Sequence, residues 1–171
     1  GLGRTGKLFA FEHEDIKPDG LILGKALGGG LLPVSAFLSS KEVMNHFNPG
    51  SHGSTFGGNP LVTAVALSVL NIFENDSILD NVFLMSKYFE SEFKSKIMIL
   101  DVVKELRIKG LMIGIGLDEN IIDCSKLTQK ALDNKLLINI TGNSIRLLPP
   151  LIITKDEIDI LIKKIFKLIN T

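Results

Sequence analysis

Near residue 75 the chain changes character, and no other feature limits the possible fold as strongly. Up to about residue 58 the sequence is rich in glycine and turns, with short apolar runs at Leu21–Leu23 and Val34–Leu38. Runs of this length bounded by Gly and Pro are consistent with strands buried on both faces. Asn59 and Pro60 then open a helix, Asn59 as its cap and Pro60 suited to its first turn. From Pro60 to about Glu74 that helix is apolar almost all round, the pattern of an element enclosed by a larger body.

Beyond Asn75 helices alternate with short strands. Ser77 with Asp80 marks a helix start, and Ile78, Val82, Met85, Phe89 and Phe93 recur at helical spacing. Leu111, Ile113, Ile115 and Leu117 alternate around Gly114 and Gly116, which predicts a strand with one bulky face. A short helix is expected from Asp123 to about Asn134, then strands near Leu136–Ile140 and Ser144–Leu147. Thr154-Lys-Asp-Glu157 forms a capping box. It opens a last amphipathic helix with Ile158, Leu161, Ile162, Ile165 and Ile169 on one side. The pattern is that of an α/β protein in two parts, residues 1–75 and 76–171.

The 171 residues suffice for one full domain or for parts of two. A hydrophobic content of 45% and a mean hydropathy of +0.29 call for a substantial core. Lys+Arg and Asp+Glu are both 19, so no basic field exists to hold a nucleic-acid backbone. Cys124 is the only cysteine, which excludes an intrachain disulfide framework and a cysteine-rich zinc site. It fits a reducing compartment, with the cytoplasm expected. The apolar stretch Leu61 to Phe73 is shorter than the roughly 20 residues of a membrane span. Gly1-Leu-Gly-Arg opens without a methionine or a targeting pattern. A fragment is therefore expected, and the mitochondrial matrix is the alternative location should a targeting segment precede it.

Lys25 stands where the run Leu21-Ile22-Leu23 gives way to Gly28-Gly29-Gly30. Apolar and glycine neighbours give its ammonium little water, which should lower its pKa toward neutrality. A neutral amine can attack an aldehyde, as Schiff-base lysines do. The other reading is a strand-end lysine whose head group reaches solvent.

Three further sites are candidates. Gly1-Leu-Gly3-Arg-Thr-Gly6-Lys7 matches both GxGxxG and GxxxxGK. Leu8 replaces the magnesium-binding hydroxyl of the second pattern, and the first lacks its preceding strand, so a tight surface turn is expected. In His52-Gly-Ser54-Thr55-Phe-Gly57-Gly58-Asn-Pro60, two hydroxyls and backbone amides precede a helix, an arrangement able to bind phosphate. The other reading is that Ser54 and Thr55 satisfy turn amides only; His52 reads as structural or peripheral. Arg146 is expected on a buried strand entering Pro149-Pro150, where its guanidinium needs an anion. That anion is either an internal Asp or Glu or a substrate carboxylate held bidentately.

Taken in order, five strings resemble the class-III pyridoxal-phosphate aminotransferases. They are Gly1-Leu-Gly-Arg-Thr-Gly-Lys7, Leu23-Gly-Lys25-Ala-Leu-Gly-Gly-Gly30, Pro49-Gly-Ser-His-Gly-Ser-Thr-Phe-Gly-Gly-Asn-Pro60, Arg107-Ile-Lys-Gly-Leu111 and Ile145-Arg-Leu-Leu-Pro-Pro150. Pro33-Val-Ser-Ala36 is more similar to the branch that acts on ornithine than to the acetylornithine branch. The resemblance implies a fold-type-I transferase, with residues 1–75 the end of the large α/β domain and 76–171 the small α+β C-terminal domain. It implies pyridoxal 5'-phosphate as cofactor, with Lys25 its covalent anchor and proton carrier. Thr55 matches the phosphate-binding residue contributed by the neighbouring subunit of a homodimer, and Ser54 beside it is implied as a cofactor-binding residue, touching phosphate or substrate. Arg146 matches the arginine that holds the carboxylate of 2-oxoglutarate or glutamate. An amino acid and a 2-oxo acid are the implied substrates. Ile108 stands where the family usually has glycine. The family's pyridinium-pairing aspartate and its cofactor-stacking aromatic belong upstream of Gly1, so this chain is expected to be inactive alone.

Overall fold

The structure is a computed structural model that describes residues 1–170. Its contacts divide the chain into two compact units. The first comprises Gly1–Gly3 and Lys7–Ser77; the second comprises Arg4–Gly6 and the chain from Ile78 onward.

In the first unit, strand β1 (Gly20–Leu23) pairs antiparallel with β2 (Ala36–Ser39), from Gly20 opposite Ser39 to Leu23 opposite Ala36. A turn of 3-10 helix, Lys25–Gly28, follows β1 directly. Helix α1 (Lys41–Met44) is a single turn capped by the Ser40 side chain. Helix α2 (Pro60–Asn75) begins where the Asn59 side chain accepts from the amides of Leu61 and Val62. The strand and helix positions match the sequence pattern, but their burial does not. Ile22 is 79% exposed, and no residue of α2 is buried. The two strands form a sheet of their own, with no third strand among the described residues. Apolar composition reports the demand for cover, and this unit does not supply it.

The second unit holds the core. Helix α3 (Ile78–Lys96) leads to β3 (Val103–Lys109) and β4 (Met112–Leu117). A 3-10 turn, Cys124–Lys126, then runs into α4 (Leu127–Asp133). Strands β5 (Asn139–Thr141) and β6 (Ser144–Leu147) precede α5 (Lys155–Ile169). The sheet is antiparallel throughout, in the order β3-β4-β6-β5. One face carries Ile113, Ile115, Leu117, Ile145 and Leu147 into a cluster with Val82, Phe89 and Phe93 of α3 and Ile158, Ile162 and Ile165 of α5. The Thr154 hydroxyl and the Glu157 carboxylate exchange capping hydrogen bonds at the start of α5, as the sequence predicts. No single helix among the described residues is long and apolar enough to cross a membrane.

Candidate functional site

Lys25 owes its position to the end of β1. Gly24 is fully extended, at φ −172° and ψ −162°, and Lys25 then turns into the left-handed region at φ 48°. Such a φ is uncommon outside glycine and costs of order 1–3 kcal/mol, so surrounding structure must hold it. The Leu27 amide, donating to the Gly24 carbonyl at 3.1 Å, closes the turn around it. Leu27 and Gly28 are buried, whereas Lys25 is exposed. The expectation that its neighbours desolvate the ammonium is therefore corrected.

The loop ahead of α2 is built by local bonds. The Ser54 hydroxyl accepts from the Gly57 amide at 3.0 Å, and Asn59 takes the amides of Leu61 and Val62 at 3.1 Å each. These amides of the first turn are thus committed to the cap, which narrows the phosphate-binding arrangement expected from sequence. Ser54 supports the turn, and the exposed Thr55 presents the second hydroxyl. A Cβ on Gly57 would lie 2.9 Å from the Ser54 Cβ, so the tight turn requires glycine there. His52 meets Phe47 edge-on, with ring centroids 6.3 Å apart, a packing role.

Arg146 sits on β6 between Gly114 of β4 and Asn139 of β5. Its neighbours Ile145 and Leu147 are 0% and 4% exposed, yet Arg146 itself projects from the opposite, open face. The strand is buried on one side only, which corrects the sequence expectation. Among the described residues no carboxylate forms an ion pair with Arg146. The internal partner weighed from sequence is absent, and the guanidinium is accessible to an external anion.

The same face carries Arg107, which sequence reasoning noted only as part of a family string. Arg107 of β3, Gly114 and Arg146 form one row across three strands. Gly114 leaves room for the Arg107 side chain to cross β4, since a Cβ there would lie 3.3 Å from Arg107 Nε. Arg107 reaches Ser144 Oγ at 2.9 Å and pairs with Glu105 at 2.9 Å. The alternation of Gly114 and Gly116 with bulky residues was the available signal.

Gly1–Lys7 is not the surface turn expected. Leu2, Gly3 and Thr5 are buried and Arg4 partly so, and within the second unit Arg4–Gly6 lie against Gly110 of the β3–β4 turn. The chain continues from it into turns and a short 3-10 helix, Ala10–His13, rather than the long helix a dinucleotide fingerprint needs. No cluster of potential metal ligands occurs among the described residues.

Lys25, Ser54 and Thr55 thus lie in the first unit and Arg146 in the second. Within the first unit, no hydrogen bond or ion pair among the described residues joins Lys25 to Ser54 or Thr55. The class-III aminotransferase family model matches residues 1–169 of the chain. The chain belongs to the class-III aminotransferases. Ornithine aminotransferase of Bacillus subtilis is 45% identical over 166 residues, which is 96% of this chain and 40% of that protein. Among solved structures, ornithine δ-aminotransferase of Plasmodium falciparum matches 99% of this chain and 44% of its own, with a TM-score of 0.91 and 37% identity. Acetylornithine aminotransferase of Elizabethkingia anophelis matches 99% of this chain and 43% of its own, with a TM-score of 0.88 and 41% identity. The chain therefore has the α/β fold of a class-III aminotransferase over about two fifths of the length of the relatives it matches.

Proposed function

We propose that the protein containing this chain transfers the δ-amino group of ornithine to 2-oxoglutarate, giving glutamate 5-semialdehyde and glutamate. The cofactor is pyridoxal 5'-phosphate, and the supporting observation is Lys25, held in a left-handed turn at the end of β1 with its amine accessible. Pyridoxal phosphate, when bound, supplies an aldehyde for amines to condense with and a ring that draws electrons from the carbon losing a proton. The residues present fit that group: a primary amine at Lys25, hydroxyls at Ser54 and Thr55, and a tight glycine turn shaping the loop.

In this reading Lys25 Nζ anchors the aldehyde and, once released, carries a proton at the reacting carbon. Thr55 Oγ1 binds the phosphate, from the partner subunit of a homodimer, and Ser54 shapes the loop beside it. Arg146 orients the 2-oxo acid through a charge-assisted bidentate pair with its carboxylate. Residues 1–75 are assigned to the large domain and 76–171 to the small one, in a cytoplasmic enzyme. The names of the relatives support ornithine as donor. The 41% identity to the acetylornithine enzyme of E. anophelis supports a second reading, N-acetylornithine as donor; 4-aminobutyrate is a further alternative.

Borohydride reduction of the protein expressed from its full reading frame, saturated with pyridoxal phosphate, should place a single covalent label on Lys25. Lys25→Ala should abolish transamination while leaving cofactor binding measurable. A label elsewhere, or turnover by Lys25→Ala, defeats the reading. No label at all would point instead to a non-catalytic dimerisation module. Arg146→Ala should raise KM for 2-oxoglutarate tenfold or more, since a charge-assisted pair contributes about 1.5–3 kcal/mol. Comparing ornithine, N-acetylornithine and 4-aminobutyrate as donors decides the substrate.

A further inference from the structure

Antiparallel strands exchange both ladder bonds at alternate residue pairs. In the β4–β6 pair Leu117 N donates to Asn143 O at 2.9 Å, so Ile115 with Ile145 and Ile113 with Leu147 are the next bonding pairs. One more step sets Leu111 opposite Pro149, and there the ladder has no second donor, because proline has no N–H. Arg4 occupies that step. Its Nη1 donates to Leu111 O at 3.2 Å and to Pro149 O at 2.5 Å, and Leu111 N donates to Arg4 O at 3.0 Å. One residue thus satisfies the three backbone groups that the missing ladder rung leaves over. Burial pushes the Arg4 guanidinium below its ordinary pKa, as expected for a cation whose partners are carbonyls.

We infer that Arg4 is a positioning residue for Arg146, fixing the end of β6 and with it the pose of the substrate-binding guanidinium. Only Leu147 and Leu148 separate Arg146 from Pro149. Without Arg4 the carbonyls of Leu111 and Pro149 lose their donor and the β4–β6 ladder ends one rung earlier, next to Arg146. The inference rests on the role proposed for Arg146 above.

The test uses the protein expressed from its full reading frame. Arg4→Gln should raise KM for 2-oxoglutarate about five-fold while leaving the rate of the amino-donor half-reaction and the borohydride label at Lys25 unchanged. Pro149→Ala in the Arg4→Gln background restores an N–H at position 149, and should bring KM back to within about two-fold of the unmodified protein. Arg4→Lys, which keeps a cation but not the fork, should fall between them. An unchanged KM in Arg4→Gln, with Arg146→Ala still raising it tenfold, overturns the inference and leaves the proposed function standing. Equal losses in both half-reactions, without rescue by Pro149→Ala, overturn it in favour of a purely structural contact. If neither Arg146→Ala nor Arg4→Gln moves KM, the substrate role of Arg146 has failed instead. The Leu147 amide then decides for Arg4: faster hydrogen exchange in Arg4→Gln supports the positioning, and unaltered exchange overturns it.

Discussion

Gly110 and Gly142 have the same backbone conformation and opposite surroundings. Both sit at φ 58° in strand-connecting turns. A Cβ on Gly110 would lie 2.5 Å from the Thr5 carbonyl carbon and 2.7 Å from Arg4 O, whereas nothing lies within 4 Å of one on Gly142. Left-handed φ costs a non-glycine residue about 1–2 kcal/mol, and overpacking adds roughly 1–3 kcal/mol. Gly142→Ala should therefore destabilise by about 1 kcal/mol and Gly110→Ala by roughly 2–4 kcal/mol, read from urea unfolding midpoints. Equal effects would mean that Arg4–Gly6 yields without cost, and that its docking against the turn is loose. The role of Arg4 was not legible in the sequence for a related reason. Its partners are main-chain carbonyls 107 and 145 residues away, and main chain leaves no residue signature.

Helix α5 was legible because its signals are local. Thr154 N donates to Glu157 Oε2 at 2.8 Å and Glu157 N to Thr154 Oγ1 at 3.3 Å, a reciprocal cap written within four residues. Thr154→Ala should cost about 1 kcal/mol in thermal or urea unfolding. The bonds from Thr154 hold the Glu157 carboxyl below its usual range. A depressed carboxyl contributes stability above the unfolded-state value, 4.5 here, and loses it as pH falls through the folded one. The stability gap between the unmodified protein and Glu157→Gln should thus close on acidification below about pH 4.5; a gap independent of pH would remove the charged cap from the account. Strand β3 escaped notice because the register slips between Val103 and Glu105. The bulge places Lys104 and Glu105 consecutively on the exposed side and destroys the period of two that marks a half-buried strand. The family strings around Lys25, Ser54, Thr55 and Arg146 were legible, whereas the open face around Arg146 was not. Sequence alternation shows that Ile145 and Leu147 point inward, and it is silent on what covers the other side.

At the scale of the whole chain, burial is distributed unequally. Every member of the main hydrophobic cluster, from Val82 to Ile169, belongs to the second unit. The buried hydrophobic residues of the first unit are Leu2 and Leu27. Apolar burial is the main favourable term in folding, worth roughly 25 cal/mol for each Å² removed from water. The second unit should therefore hold its structure in this chain alone, and the first should open at much lower free energy. Amide exchange of the 171-residue chain should show slow Ile113, Ile115, Ile145 and Ile162, and fast Leu21, Ile22, Phe37 and Leu38. In the protein expressed from its full reading frame, the β1 and β2 amides should slow by at least an order of magnitude, because Ile22, Phe37 and Leu38, now 79%, 44% and 47% exposed, demand cover. Uniform protection across both units of the isolated chain would show that the β1–β2 pair is stable without such cover. In that case the left-handed turn at Lys25 would be held by local bonds alone.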